Sequence, residues 1–536
     1  MRVAVIGGGP SGLVTLKYLL EAHKFFPVEP IEARLFEATD AIGGTFQQRT
    51  YEDAEMVSSK QLTTFSDFRI KDPAAPDFLI TKDYVEYLED YCDHFQLRAC
   101  ISLSTRVLEV GRQYKGSGHE IRFQKEEGNV EIWSCDAVAV CSGLHVDPNI
   151  PHVPGIENVP SLMHSSRFKG REQFGIDKTV MILGAGETGM DVAHLAVTGQ
   201  TRHVILCHKN GFFCAPKRVP DPVLFGQVIP NKPLNIPVDV SSASLFDTMY
   251  AHPVLRDGPM LWTYYDCFSS GMDQWIGGIP KEKFHVSKIF FNKSNKAMPY
   301  ISAPWRKYNW IQKLRSRIMQ LPLLDTGDRH IDLAPWPEKF DDNGVVHFMD
   351  SGRAEAQKMR KLIIKPDVVI LATGYKQNFP FLAPDYPQPE NANVRRIWQS
   401  GDETVGFIGF VRPSLGAIPP LSEFQAQLWI QALLHQIPHP LTQETHYRLL
   451  TDSDRRIQYG VDHEAYAYQL ALDCGSATSF INVLSYGWKV ATVWALGANF
   501  NVKFRLTGPW RLDGAAEVMK EELWPTITRR GGFFGM

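Results

Sequence analysis

The first dozen residues leave few folds open to this chain. Val3-Ala4-Val5-Ile6 is a short apolar run, Gly7-Gly8-Gly9-Pro10-Ser11-Gly12 follows at once, and Leu13-Val14-Thr15-Leu16-Lys17-Tyr18-Leu19-Leu20 continues as a helix-forming stretch. The run reads as a buried parallel strand that the glycines turn sharply into a helix. Gly7 permits the tight turn, Gly9 lets the backbone approach a pyrophosphate, and Gly12 lets helix and strand pack closely. The helix N-terminus adds free N–H groups and a partial positive charge for that pyrophosphate. A second strand, Ala33-Arg34-Leu35-Phe36, ends in Glu37, whose carboxylate can accept hydrogen bonds from a ribose diol. Strand, glycine turn, helix and a following acid together mark a dinucleotide site.

The pattern occurs twice. Thr179-Val180-Met181-Ile182-Leu183 is a second strand, Gly184-Ala185-Gly186-Glu187-Thr188-Gly189 a second turn, and Met190-Asp191-Val192-Ala193-His194-Leu195 a second helix. Here the next strand, His203-Val204-Ile205-Leu206, ends in Cys207-His208-Lys209 where the first unit has an acid. A carboxylate repels a 2′-phosphate, whereas Lys209, with Arg218 as a second candidate, attracts one. A solvated surface lysine is the competing reading of Lys209.

Between and after the two turns the chain supplies further pieces of an α/β fold. Ala38-Thr39-Asp40-Ala41-Ile42-Gly43-Gly44-Thr45-Phe46 sets a Gly-Gly pair beside an aromatic, which lets backbone run close to a flat ring. Tyr84, Leu88, Tyr91 and Phe95 recur at helical spacing and predict an amphipathic helix over 81–95 with a core-facing stripe. Asp136-Ala137-Val138-Ala139-Val140-Cys141-Ser142-Gly143 reads as the last strand of the first unit. Pro366-Asp367-Val368-Val369-Ile370-Leu371-Ala372-Thr373-Gly374-Tyr375 closes the second unit and returns to the first, and Val405-Gly406-Phe407-Ile408-Gly409 adds a strand. Leu415-Gly416-Ala417-Ile418-Pro419-Pro420-Leu421-Ser422-Glu423 then opens a helix whose N-terminus suits a site of developing negative charge. The expected fold class is α/β, two Rossmann-like dinucleotide-binding domains with the second inserted into the first. The boundaries fall at 1–165, 166–365 and 366–536, with an aromatic-rich stretch at 220–330 (Trp262, Tyr264, Tyr265, Phe268, Trp275, Phe290, Phe291, Trp305, Trp310) that could line a substrate approach.

Composition removes several function classes. At 536 residues the chain is too long for one ordinary core, and a net charge of −3 gives no reason to expect nucleic acid or an anionic membrane as partner. The eight cysteines are scattered without a C-x-x-C pair, which suits a reducing compartment and argues against structural zinc or a redox disulfide; no metal site is expected. The apolar start is too short for a signal peptide. The most membrane-like window, 480–500, is broken by Gly487, Lys489 and Gly497 and reads as core or a channel wall rather than a spanning helix. The expectation is a cytoplasmic protein with no transmembrane segment, its oligomeric state open to a homo-oligomer.

Taken together, these motifs resemble the class B flavin-containing monooxygenases, N- or S-oxygenases of the dimethylaniline and trimethylamine type. The resemblance runs through Gly7 to Gly12, Ile42-Gly43-Gly44, Ser59-Lys60 with Phe65-Ser66-Asp67-Phe68, Cys141-Ser142-Gly143 and His164-Ser165. It continues through Gly184 to Gly189, Ala372-Thr373-Gly374-Tyr375, Leu415-Gly416-Ala417-Ile418 and Phe504-Arg505-Leu506-Thr507-Gly508-Pro509. It implies FAD held by Gly7, Gly8, Gly9, Pro10, Ser11, Gly12 and Glu37, flanked by Gly44, Thr45 and Phe46, with Val57 and Ser58 near the flavin and the nicotinamide. It implies NADPH held by Gly184, Gly186, Thr188, Gly189, Met190 and Asp191, with Lys209 read above as the residue favouring the 2′-phosphate. The implied chemistry is hydride transfer from NADPH to FAD, capture of O₂ as a flavin C4a-hydroperoxide, and transfer of one oxygen atom to a soft nucleophile of a small molecule, an amine nitrogen or a sulfide sulfur. Bound NADP⁺ and exclusion of water protect the intermediate. Such chemistry asks little acid–base work of the protein, in keeping with a sequence that shows no catalytic triad or carboxylate pair.

Two departures stand out. Val57 replaces an asparagine of the family and cannot donate a hydrogen bond, so Ser58, NADP⁺ or another group must take its place. The family's fingerprint between the domains survives in part, as Asn158, Pro160, His164 and Phe168, with His164 either a linker residue of functional weight or a packed histidine. The alternatives are a Baeyer–Villiger monooxygenase acting on a ketone and an uncoupled NADPH oxidase flavoprotein. A flavin disulfide reductase is disfavoured for want of a C-x-x-C pair.

Overall fold

The computed structural model describes residues 1–529 except 73, 114–117, 127, 210, 215–216, 219–222, 226, 229–233, 241–290, 293–294, 303–309, 311–313, 315–318, 321–323, 415, 444 and 450–458. Of the aromatics expected to line a substrate approach, Trp262, Tyr264, Tyr265, Phe268, Trp275, Phe290 and Trp305 lie outside the described residues, as does Leu415.

Two parallel sheets organise the chain. The first runs in the order Val405–Phe407, Ala137–Val140, Arg2–Ile6, Glu32–Phe36, Ile101–Ser102. Its central strand is apolar and buried from Val3 to Ile6, with both faces covered. Val3 and Val5, with Ala137 and Ala139, point into the core under the helices, whereas Ala4 and Ile6, with Val138 and Val140, point into a second core with Phe36, Ile121 and Phe123. The helix Pro10–Phe25 packs along the helix Ile418–Leu433 on the first face. A three-stranded antiparallel sheet, Thr105–Arg112, His119–Lys125 and Val130–Cys135, covers the other.

The second sheet runs Ile331–Pro335, His203–His208, Thr179–Leu183, Val368–Leu371, Ser161–His164, again all parallel. It alternates in the same way: Val180 and Ile182 face the helix Glu187–Thr198, and Met181 and Leu183 face a separate core. Its strands Ser161–His164 and Val368–Leu371 mean that the second sheet begins before residue 166 and ends after residue 365.

The helix expected over 81–95 spans Thr81–His94 with Tyr84, Leu88 and Tyr91 fully buried. The apolar window at 480–500 forms two short helices, Phe480–Leu484 and Trp488–Leu496. One face, with Val483, Val490, Val493 and Trp494, is core as expected. The other face corrects the expectation, because Ile481 and Trp488 are 79% and 63% exposed. Among the described residues no helix is long and apolar enough to cross a membrane.

Candidate cofactor and active site

The two glycine turns share one geometry. Gly7 has φ +110°, and a Cβ there would stand 2.6 Å from the Cys141 carbonyl oxygen; Gly184 has φ +113°, with the Ala372 oxygen at 2.4 Å. A Cβ on Gly12 would stand 1.9 Å from the Gly7 oxygen, and one on Gly189 at the same 1.9 Å from the Gly184 oxygen. Only glycine fits at these positions, because the last glycine of each turn presses the helix onto the strand end. Gly9 differs. A Cβ there meets nothing nearer than the Gly44 Cα at 3.8 Å, so the backbone at Gly9 borders space that the protein does not fill. An open cradle against a helix N-terminus fits a pyrophosphate.

The acid of the first unit is anchored rather than loose. The Gly8 N–H donates to Glu37 Oε2 at 2.6 Å, while the Thr39 N–H and hydroxyl donate to Oε1 at 2.9 and 2.8 Å. Glu37 is thereby tied to the glycine turn. Gly43 closes over the same turn through its N–H to the Gly8 oxygen at 2.9 Å, which places Gly44 beside Gly9. Thr45 is exposed and Phe46 half-buried at the head of the short helix Thr45–Gln48, with the Phe46 ring edge-on to Tyr84. Pro10 occupies the first turn of its helix, and the Ser11 hydroxyl bonds the Ser422 hydroxyl at 2.8 Å, joining the turn to the start of Ile418–Leu433.

Val57 is half-buried in a loop, and Ser58 beside it is buried with its hydroxyl on Thr63 at 2.7 Å. The Ser59 N–H donates to Asp239 at 2.7 Å, and Lys60 donates to the Ala75 carbonyl at 2.6 Å. The Lys60 ammonium is shifted below its ordinary range by burial. Behind this loop the resemblance motifs at 65–68 and 504–509 meet in one buried network. Arg505 pairs with Glu423 at 3.1 Å and bonds Tyr18, Ser66 and the Trp510 carbonyl. Lys17 pairs with Asp67, and Asn501 donates to Glu423. Sequence reading missed this network, since separated charges carry no signal of a shared burial.

In the second unit the helix Glu187–Thr198 starts at Gly186, with Gly189 and Met190 buried against the sheet and Thr188 and Asp191 half-buried. Asp191 accepts a hydrogen bond of 2.7 Å from the Tyr51 hydroxyl, which comes from the first unit. At the end of the neighbouring strand His208 is buried against Glu355 at 3.3 Å. Lys209 is exposed, its ammonium 4.7 Å from the Trp336 ring centre. Arg218 is engaged elsewhere, pairing with Asp77 at 3.3 Å over Phe78. His164 ends the strand Ser161–His164 with one ring nitrogen on the Gly374 oxygen at 3.0 Å and the other accepting from the Ser166 N–H at 3.1 Å. Burial first, and Arg49 in addition, lower its pKa, which keeps the ring neutral.

The profile of the family described as flavin-binding monooxygenase-like matches residues 1–222 and 358–524, which takes in both turns and the buried network. The chain belongs to that family. It is 51% identical to a monooxygenase (PC-14) of Penicillium crustosum, over 99% of this chain and 94% of the relative. It is 25% identical to human flavin-containing monooxygenase 2, over 97% of this chain and 91% of that one. Its fold is similar to the S-allyl-L-cysteine S-oxygenase of Allium sativum, with TM-score 0.55 and 16% identity over 98% of each chain. A steroid monooxygenase structure has TM-score 0.53 and 14% identity over 81% of this chain and 85% of that one.

Proposed function

We propose that the protein is a FAD- and NADPH-dependent monooxygenase that transfers one oxygen atom from O₂ to a soft nucleophile, an amine nitrogen or a sulfide sulfur, of a small molecule. FAD and NADPH are the cofactors of this chain. The observation that carries the reading is the pair of glycine turns of equal geometry with unlike strand ends, Glu37 on the first and Lys209 on the second. When bound, the flavin supplies the redox and oxygen chemistry, and the protein supplies binding, orientation and exclusion of water.

The first turn, with Gly7, Gly8, Gly9, Pro10, Ser11 and Gly12, would hold the FAD pyrophosphate, and Glu37, already oriented by Gly8 and Thr39, would take the ribose. Gly44, Thr45, Phe46, Val57 and Ser58 would border the ring. With the Ser58 hydroxyl turned to Thr63, its role there is to fix the loop that carries Val57. Gly184, Gly186, Thr188, Gly189, Met190 and Asp191 would hold NADPH, and Lys209 the 2′-phosphate. The aromatic rings around Phe65 and Tyr84 keep water out of the first unit's core. Seven described cysteines are free thiols, which supports a cytoplasmic setting. We also read the protein as a partner of its small-molecule substrate and O₂, without nucleic acid, its oligomeric state open to a homo-oligomer.

The test is turnover of purified, flavin-loaded enzyme with a panel of tertiary amines, sulfides and ketones, with NADPH consumption and H₂O₂ followed in parallel. Oxygenated amine or sulfide in step with NADPH is the expected result. Lactone or ester from the ketones would replace this reading with a Baeyer–Villiger activity, and H₂O₂ matching all NADPH consumed would replace it with an uncoupled oxidase.

A further inference from the structure

The segment between Gly44 and Val57 belongs to the first unit, yet part of it is bonded to the second. The Glu52 N–H donates to the Lys169 oxygen at 2.8 Å, the Arg171 N–H donates to Glu52 Oε2 at 2.8 Å, and Lys169 reaches the carbonyls of Gln48 and Thr50 at 3.0 and 3.2 Å. These contacts tie the segment to the stretch that follows Ser161–His164. Tyr51 goes further. Its hydroxyl crosses 140 residues of sequence to donate to Asp191 Oδ2 at 2.7 Å. The ring leans on Phe168 at 6.1 Å, and burial, then Asp191, raise the phenol's pKa well above its ordinary range. The hydroxyl therefore stays protonated and remains a donor.

Thr188 and Asp191 lie on the first turns of Glu187–Thr198, the part of the second unit nearest its glycine turn. One side chain of the first unit thus holds Asp191, a residue of the second unit's candidate nucleotide motif. Seven residues before Tyr51 stands Gly44, and six after it stands Val57, so the same short segment borders both candidate sites.

We propose that Tyr51 is a positioning residue that sets the register of the NADPH unit against the flavin unit: its hydroxyl, donating to Asp191, aligns the nucleotide helix with the segment that borders the flavin. This rests on the reading under Proposed function. A bond fixed in advance removes orientational freedom that would otherwise have to be lost when NADPH docks and again when hydride passes. The hydroxyl acts through Asp191 and touches no reacting atom.

The test compares wild type with Tyr51→Phe, which removes one oxygen from a ring whose packing stays. FAD content, NADP⁺ affinity from the perturbation of the flavin spectrum, and flavin reduction at saturating NADPH are measured, with dithionite reduction as control. Tyr51→Phe is expected to keep its FAD and its dithionite reaction, to weaken NADP⁺ binding about 5- to 10-fold, and to slow reduction at saturating NADPH by about tenfold, the loss of one hydrogen bond to a charged group. In a cycle with Asp191→Asn, the double variant is expected to lose less than the product of the single effects. NADP⁺ affinity and saturated reduction within twofold of wild type would overturn the proposal, and so would fully additive effects or parallel loss of FAD. Absence of any NADP⁺ response in wild type would overturn the functional reading instead.

Discussion

The two nucleotide units are built on the same turn and finished differently. Gly7 and Gly184 adopt nearly the same positive φ, +110° and +113°, and a Cβ on Gly12 or on Gly189 would stand the same 1.9 Å from a carbonyl oxygen. The strand ends diverge: Glu37 is buried and held by three donors, whereas Lys209 is exposed and rests on Trp336. The turn is dictated by backbone sterics common to both sites, whereas the strand ends differ in both charge and burial. A buried acid fixed by the backbone is part of its fold, while an exposed lysine contributes only at its tip.

The comparison breaks most visibly at the glycines. Gly12→Ala drives a methyl into the Gly7 carbonyl and should destabilise the first unit by about 3 kcal/mol or more, yielding colourless or insoluble protein. Gly189→Ala repeats the clash in the second unit and should leave yellow protein that no longer binds NADP⁺. Gly9→Ala meets only the Gly44 Cα at 3.8 Å, so its apoprotein should melt as the wild-type apoprotein does and yet retain little FAD. Melting curves and flavin absorbance separate the three, and full flavin content in Gly9→Ala would remove this turn from the FAD site.

A smaller effect is expected at the strand ends. Glu37→Gln weakens the charge-assisted bonds from Gly8 and Thr39 by about 1.5–3 kcal/mol, or roughly 10- to 150-fold in FAD retention. Lys209→Ala removes an exposed cation and should lower the NADPH-over-NADH preference only about 2- to 5-fold. FAD dissociation constants and coenzyme kinetics measure the two. Equal losses at both positions would mean that burial does not distinguish them.

The smallest effect lies in the response to pH, where the two units oppose one another. In the first, burial and then Arg112 push the His119 pKa down to about 4, and its ring accepts from Arg112 and bonds Tyr386. The unfolded chain binds that proton more readily, so this contribution is lost as pH falls from about 6.5 towards 4. In the second, the hydrogen bond to Asp332 raises the His330 pKa, and its contribution is complete below about 6.5 and lost as pH rises through the raised value. Asp332 itself is held low: burial works against ionisation, but bonds from His203, His330 and Lys358 outweigh it. Asp332→Asn should flatten the decline of melting temperature between pH 6 and 8 by about 1–2 °C, and His119→Asn should flatten the rise between pH 4 and 6. Unchanged slopes would remove these histidines from the account.

Much of this was legible in the sequence where one short stretch carries its own constraint. Both glycine turns, their strands and helices, and the helix from Ile418 follow from local patterns of apolar residues, glycine and proline. The strand Ser161–His164 was not, because Ser-Leu-Met-His has neither an apolar run nor an alternation and is a strand only by pairing with Val368–Leu371. The antiparallel sheet over 105–135 likewise went unread: Glu109, Arg122 and Glu131 interrupt its apolar positions on the solvent face. At the candidate site, Glu37 was readable by its place after a strand, whereas Tyr51 was one tyrosine in a polar loop until the fold brought it to Asp191. Arg218 shows the opposite error. Its sequence position beside the second unit suggested a phosphate ligand, and its actual partner is Asp77.

The buried network around Arg505 has a consequence for how the protein is made. Arg505 bonds Tyr18, 487 residues earlier, and the edge strand Val405–Phe407 completes a sheet begun at Arg2. A nascent chain that has not yet reached residue 505 holds Glu423 without that guanidinium, and burying its carboxylate in that state is strongly unfavourable. The second sheet needs nothing beyond Leu371 to pair all its strands. On the ribosome the inserted unit can therefore mature first, while the unit that opens the chain waits, unfinished, for the chain's far end to be synthesised.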